Sequence, residues 1–173
     1  MTHVLTACLF AFFAQTALSQ VKLGRSLPEV NLSGEAGGRI SGEAWSSSDL
    51  KGKVNLLFYV DPDRKGDNPA LENALDREKF AEESFQSTAV INMAATWLPN
   101  AAIASSLKSK QKEFPRTVYV KDLHKALIKS WGLDDNSYAV LMLDKSGIPT
   151  FYRAGTLSES DISQLITLIK QHI

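Results

Sequence analysis

Apolar positions fall into blocks of alternating period along the chain. "VNLLFYV" (Val54 to Val60) is apolar except for Asn55 and has the length of a strand buried on both faces. Asn68-Pro69 then opens a helix, with Asn as cap and Pro at the first helical position, and Leu71 and Leu75 lie four apart on one face. "STAVINM" (87–93) reads as a second core strand, "AATWLPN" as a loop, and "AAIASSLKSKQKEF" (101–114) as a helix stopped by Pro115. "TVYV" (117–120) is a third strand. "LHKALIKSW" (123–131) predicts an amphipathic helix that carries His124 and ends at Gly132. "YAVLML" (138–143), the turn "DKSG" and "TFYRA" (150–154) predict a hairpin. In the last helix Ser158 and Asp161 form a capping box, and Ile162, Leu165, Ile166, Ile169 and Ile173 share one face. "NLSGEAGGRISGEAW" (31–45), rich in Gly and Ser, predicts a hairpin or loop ahead of the main sheet.

The order is βαβα, then βα, then ββα. Alternating units predict an α/β domain with a mostly parallel central sheet, helices on both faces and an antiparallel C-terminal hairpin, the thioredoxin-like arrangement. The first residues do not belong to it. Leu5 to Phe13 is apolar and "ALS" precedes Gln20, which predicts a secretory signal over residues 1–19 and a single mature domain over 20–173. No second apolar run has spanning length, so no membrane insertion is expected after cleavage. Cys8 is the chain's one cysteine and falls inside the signal, so the mature protein is expected to hold no disulfide and no thiol. Lys+Arg and Asp+Glu balance at 19 each, which favours neither nucleic acid nor an anionic membrane as partner.

Longer stretches carry a resemblance. "LKGKVNLLFYV" followed by a loop and helix, and "YVKDLHKALIKSWGL" with "AVLMLDKSGIPTFYRAG", resemble secreted thioredoxin- and peroxiredoxin-like proteins. "GKVNLLFYVDPDRKGDNPALENAL", "STAVINMAATWLPN" and "KSWGLDDNSYAVLMLDKSG" resemble, more closely, the YtfJ family of periplasmic proteins, over most of residues 22–172. The resemblance implies a periplasmic location and the thioredoxin-like fold, and it supplies no activity. Redox members of the wider family place cysteine just after the first core strand, where this chain has "DPDRKGDN". They place a cis-proline where Tyr138 stands, preceded here by Ser137. Without the attacking thiolate, no thiol oxidoreductase or peroxidase activity is expected.

The charged loop Asp61 to Asn68 therefore occupies the redox position with other chemistry. Asp61, Asp63, Gly66 and Glu72 fall at positions 1, 3, 6 and 12 of a calcium loop. Lys65, Asn68 and Pro69 break the pattern at positions 5, 8 and 9, and a solvated loop beside a helix N-terminus is the plainer expectation. Asp61 or Lys65 could serve as base or nucleophile only if buried, and loop-tip charges are usually solvated. No metal or Ser-His-Asp set assembles from His124 and His172, and no cofactor is expected. Trp97 shares the edge with this loop. Exposed, it would anchor a partner; a Trp capping the core below is the plainer expectation. Trp131, before Gly132, is expected in the core, and Trp45 is undecided. The functional expectation is an exported binding or accessory module for a periplasmic protein or peptide. Its binding edge would comprise Asp61, Asp63, Arg64, Lys65, Trp97, Pro99 and Tyr138. The alternative is a cysteine-independent or metal-dependent enzyme using the Asp61–Asn68 loop.

Overall fold

The computed structural model describes residues 21–173; the signal expected over 1–19, Cys8 and the cleavage point before Gln20 lie outside the described residues. The Gly-rich segment holds three short strands, β1 (Asn31–Leu32), β2 (Gly37–Arg39) and β3 (Trp45–Ser46). β1 and β3 pair antiparallel, as a hairpin reading foresees. β2 instead leaves them and joins the edge of the main sheet. Gly37 makes this possible. Its φ is +129°, and a Cβ there would run into the Lys121 carbonyl, so only glycine lets the two backbones meet.

The remaining elements follow the expected order: β4 (Val54–Val60), α1 (Pro69–Glu78), β5 (Phe85–Asn92), α2 (Asn100–Glu113), β6 (Thr117–Asp122), α3 (Ala126–Trp131), β7 (Tyr138–Leu143), β8 (Pro149–Ala154) and α4 (Glu159–His172). The sheet order is β2-β6-β5-β4-β7-β8. β4, β5 and β6 run parallel, while β2, β7 and β8 each pair antiparallel with their neighbours, so the sheet is mixed. α3 is shorter than its apolar pattern suggests. It starts at Ala126, which leaves His124 in the preceding turn rather than on a helix.

Successive residues of β4 serve opposite faces, as a pleated strand requires. Leu56, Phe58 and Val60 meet Leu71 of α1, Ile103 and Leu107 of α2, and Ile162, Leu165 and Ile169 of α4. Leu57 and Tyr59 meet Leu127 and Trp131 of α3 together with Leu32 and Trp45. The chain moves from β4 through β5 to β6 in one direction, then crosses back to β7 on the far side of β4. That reversal lies next to the carboxyl end of β4, where open α/β sheets carry their sites. No described helix is long and apolar enough to cross a membrane.

Candidate functional site

Each parallel strand ends on a polar residue. Asp61 follows β4, Asn92 closes β5 and Asp122 closes β6. All three are buried, Asp61 with 2% of its surface exposed. Burial of Asp61 overturns the expectation of a wholly solvated loop. Its backbone N–H donates to the Ser137 carbonyl (3.1 Å), which turns the residue under the chain instead of out of it. Beyond it, Pro62–Arg64 forms one 3-10 turn, and Asp63, Arg64 and Lys65 are exposed as expected. Asn68 is the N-cap residue of α1, but its side chain does not cap. Its amide donates to the Gly155 carbonyl (3.0 Å) and its oxygen accepts from the Leu157 N–H (2.8 Å), tying the loop to the β8–α4 connection.

Asn92 organises the interior. Its Nδ2 donates to Asp61 Oδ1 (2.8 Å) and to Asp135 Oδ1 (3.3 Å), so one amide serves two carboxylates. Asp135 is further held by the Lys125 ammonium at 2.6 Å. Asp61 Oδ2 and Asn92 Oδ1 have no hydrogen-bond partner, although both are buried. The two acids are driven apart. Loss of water raises the Asp61 carboxyl above its ordinary value, against the lowering effect of Asn92 and the Ser137 backbone. The Lys125 hydrogen bond holds Asp135 below its ordinary value. Asp122 plays a different part. It accepts from the N–H groups of His124 (3.2 Å), Ala126 (2.9 Å) and Leu127 (3.1 Å) and from the Tyr59 hydroxyl (3.1 Å). It thereby supplies the cap that Lys125, in left-handed conformation at φ 56°, does not make. Lys125 is aimed at Asp135 as a result.

The calcium spacing is not realised as a cage. Asp61 turns inward to Asn92, Asp63 accepts from the Thr96 hydroxyl (3.2 Å), and Glu72 is exposed on α1. Among the described residues no group of three or more His, Cys, Asp or Glu side chains gathers as a metal site would need.

The edge residues divide. Trp97 is 87% exposed and Leu98 37%, so Trp97 does not cap the core as the plainer expectation held. Pro99 is exposed at the N-cap of α2. Tyr138, by contrast, is only 5% exposed. As the first residue of β7 it points into the core and meets Phe58 edge-on, ring centroids 5.9 Å apart, so it is withdrawn from the edge. Trp131 is in the core as expected, its Nε1 donating to the Pro28 carbonyl (2.8 Å), and Trp45 is buried as well. His172 is in the last turn of α4. Sequence reasoning missed Asn92, Asp122, Lys125 and Asp135. The available signal was a polar residue closing each apolar strand, at Ile91-Asn92 and Lys121-Asp122 as at Val60-Asp61.

Comparison with known proteins places this geometry. The profile of a family described as "Bacterial protein of unknown function (YtfJ_HI0045)" matches residues 21–172. An uncharacterised protein of Haemophilus influenzae is 28% identical over 170 residues, covering 94% of this chain and 92% of its own length. The uncharacterised protein YtfJ of Escherichia coli is 28% identical over 137 residues, covering 77% and 74%. Among solved structures, a thiol peroxidase from Chromobacterium violaceum superposes with a TM-score of 0.64 at 14% identity, over 88% of each chain. A thiol-disulfide isomerase from Corynebacterium glutamicum gives 0.57 at 14% identity, over 91% of this chain and 97% of that one. At such identities the likeness shows the thioredoxin-like fold and nothing of activity.

Proposed function

Because the chain belongs to the YtfJ_HI0045 family and carries one cysteine, at position 8, we propose that it is an exported periplasmic binding or accessory module on a thioredoxin-like scaffold, with no thiol chemistry of its own. The partner proposed is a periplasmic protein or peptide. Nucleic acid and, after signal cleavage, membrane insertion are outside the proposal. The apolar run Leu5 to Phe13 and the "ALS" site support export, and N-terminal sequencing of the periplasmic fraction should return a chain starting at Gln20. A Cys8-lipidated form held in the membrane would overturn that part.

One observation carries the binding reading: Trp97 stands 87% exposed in the loop that follows β5, at the carboxyl end of that strand. Leaving an indole in water forgoes a stabilisation of about 1.5–3 kcal/mol or more that burial would bring. An aromatic in that position is a common anchor of binding energy. Leu98 and Pro99 extend the apolar area, and Asp63, Arg64 and Lys65 form a charged rim. In the test, the chain captures its partner from a periplasmic extract, the complex is isolated, and the affinities of wild type and Trp97→Ala for that partner are compared. The variant should lose more than about 1 kcal/mol of affinity. Its thermal midpoint should move little, since the side chain covers almost no core. A strong fall in the midpoint with affinity intact would reverse the reading.

A second reading has an observation of its own. Asp61 and Asp135 are two carboxylates whose environments push their proton affinities in opposite directions, as acid–base pairs do. It ranks behind the first because Asp61 is closed to substrate in this conformation.

A further inference from the structure

The segment Asp134 to Ser137, which joins α3 to β7, lies across Asp61 as a strap. The ties that hold it to its surroundings are polar contacts, and Asp134 also donates its backbone N–H to the Tyr152 hydroxyl (3.3 Å). The Tyr152 hydroxyl donates to Asp134 Oδ2 (2.6 Å), Lys125 pairs with Asp135 (2.6 Å), and Ser137 Oγ accepts from the Gly155 N–H (3.1 Å). Asn136 adopts a left-handed φ of 52°. Beneath the strap, the Asp61 N–H donates to the Ser137 carbonyl (3.1 Å), and Asn92 links the Asp61 and Asp135 carboxylates.

A count of charges and donors in the closed site does not balance. Asp61 and Asp135 bring two negative charges and Lys125 brings one positive. Both hydrogens of the Asn92 amide are spent, one on each acid, yet Asp61 Oδ2 and Asn92 Oδ1 are bare. The remaining groups around Asp61 do not supply the missing positive charge. Tyr59, two residues earlier on β4, gives its hydroxyl hydrogen to Asp122. Asp63, on the same loop, accepts from Thr96. A proton on Asp61 Oδ2 would remove one charge, whereas an ionised Asp61 would leave a buried charged oxygen without a partner.

We propose that the strap is a proton-linked cover: it is closed while Asp61 carries a proton and lifts when Asp61 ionises, exposing the Asp61–Asn92 pair at the carboxyl end of the sheet. The linkage runs one way. Closure raises the affinity of Asp61 for its proton, because burial penalises the anion. Opening returns the carboxyl to water and to its ordinary value. Between those two values lifting the strap releases a proton, so the open fraction grows up to tenfold per pH unit as pH rises. Above the raised value it levels off.

The Asp61 amide reports the strap directly, since its acceptor is the Ser137 carbonyl. Carbon-13 titration of the Asp61 carboxyl and hydrogen exchange of the Asp61 amide, corrected for intrinsic rates, test the proposal on the full chain. The carboxyl should titrate above the ordinary aspartate range. Amide protection should fall through that titration by up to tenfold per pH unit, while the Leu56 to Phe58 amides of β4 stay level. Asp61→Asn should hold protection constant with pH. Asp135→Asn, with the facing charge removed, should move the titration and the exchange midpoint together to lower pH. The proposal is overturned by an Asp61 titration in the ordinary range or by protection that stays flat through it. It is also overturned by the same fall in Asp61→Asn, or by midpoints that separate in Asp135→Asn.

Discussion

A carboxylate that has lost its water and kept one bare oxygen destabilises the fold that holds it. Asp61 is in that position, and the direction of its shift gives the sign of the effect. Its folded-state value is raised above the ordinary one by burial, so the folded protein binds the proton more tightly than the unfolded chain. The contribution of Asp61 to stability is therefore fully present below the ordinary value and is lost as pH rises through the raised one. Asp61→Asn keeps the oxygen that accepts from Asn92 and removes the charge. The variant should melt higher than wild type at about pH 7, and the difference should vanish at about pH 3, below the ordinary aspartate range. Thermal melts at the two pH values check it, and a variant that melts lower at neutral pH would refute the assignment of the cost to the charge. Individual residues were the hardest part to read from sequence. Asp61 reads as one of several charged loop residues, and its burial depends on Ser137, which is distant in sequence and brought over it by the crossover to β7. Trp97 misleads in the opposite sense. Its composition says core, and only the path of the loop after β5 shows that no core lies beneath it.

At the scale of elements, the side-chain caps of α4 and α3 differ in consequence. Ser158 accepts from the Asp161 N–H (3.1 Å) on an exposed helix end, and Ser158→Ala should cost about 1 kcal/mol. Asp122 is fully buried, starts α3 and accepts the Tyr59 hydroxyl. Asp122→Ala would strand three backbone N–H groups and a phenol, a loss on the order of 3 kcal/mol or more. Denaturant melts of both variants should rank them in that order with similar m values; equal losses would mean that Asp122 is not the organiser of α3. The capping box and the face of α4 were legible because every residue needed lies within a few turns. α1, β4, β5, β7 and β8 were legible for the same reason, their periodicity being local. β2 was not. "GGR" has no strand propensity, and it pairs with β6 because Gly37 fits against the Lys121 carbonyl, a fact about a strand far along the chain. α3 was overread because Leu123 belongs to the apolar pattern but precedes the helix that Asp122 starts.

At the scale of the molecule, the fold and the chemistry of its relatives separate. The chain shares its fold with a thiol peroxidase and a thiol-disulfide isomerase. What a thiol enzyme needs at the end of β4 is a thiolate, and what stands there is Asp61-Pro62-Asp63-Arg64. Disulfide exchange runs by attack of one sulfur on another, and a carboxylate cannot substitute in that step. A chain with a single cysteine also cannot close an internal disulfide. Its core is held without a covalent cross-link, through two apolar layers that share β4 between them. A chain starting at Gln20, the mature form proposed above, should therefore show the same thermal midpoint with and without dithiothreitol, catalyse no insulin reduction, and consume no peroxide at the expense of a thiol. All three follow from one absence, so they should stand or fall together. Turnover in either assay by the pure protein, surviving alkylation of any contaminating thiol, would place a redox centre on side chains other than cysteine. It would also remove the ground on which the edge around Trp97 is read as a surface for binding rather than for catalysis.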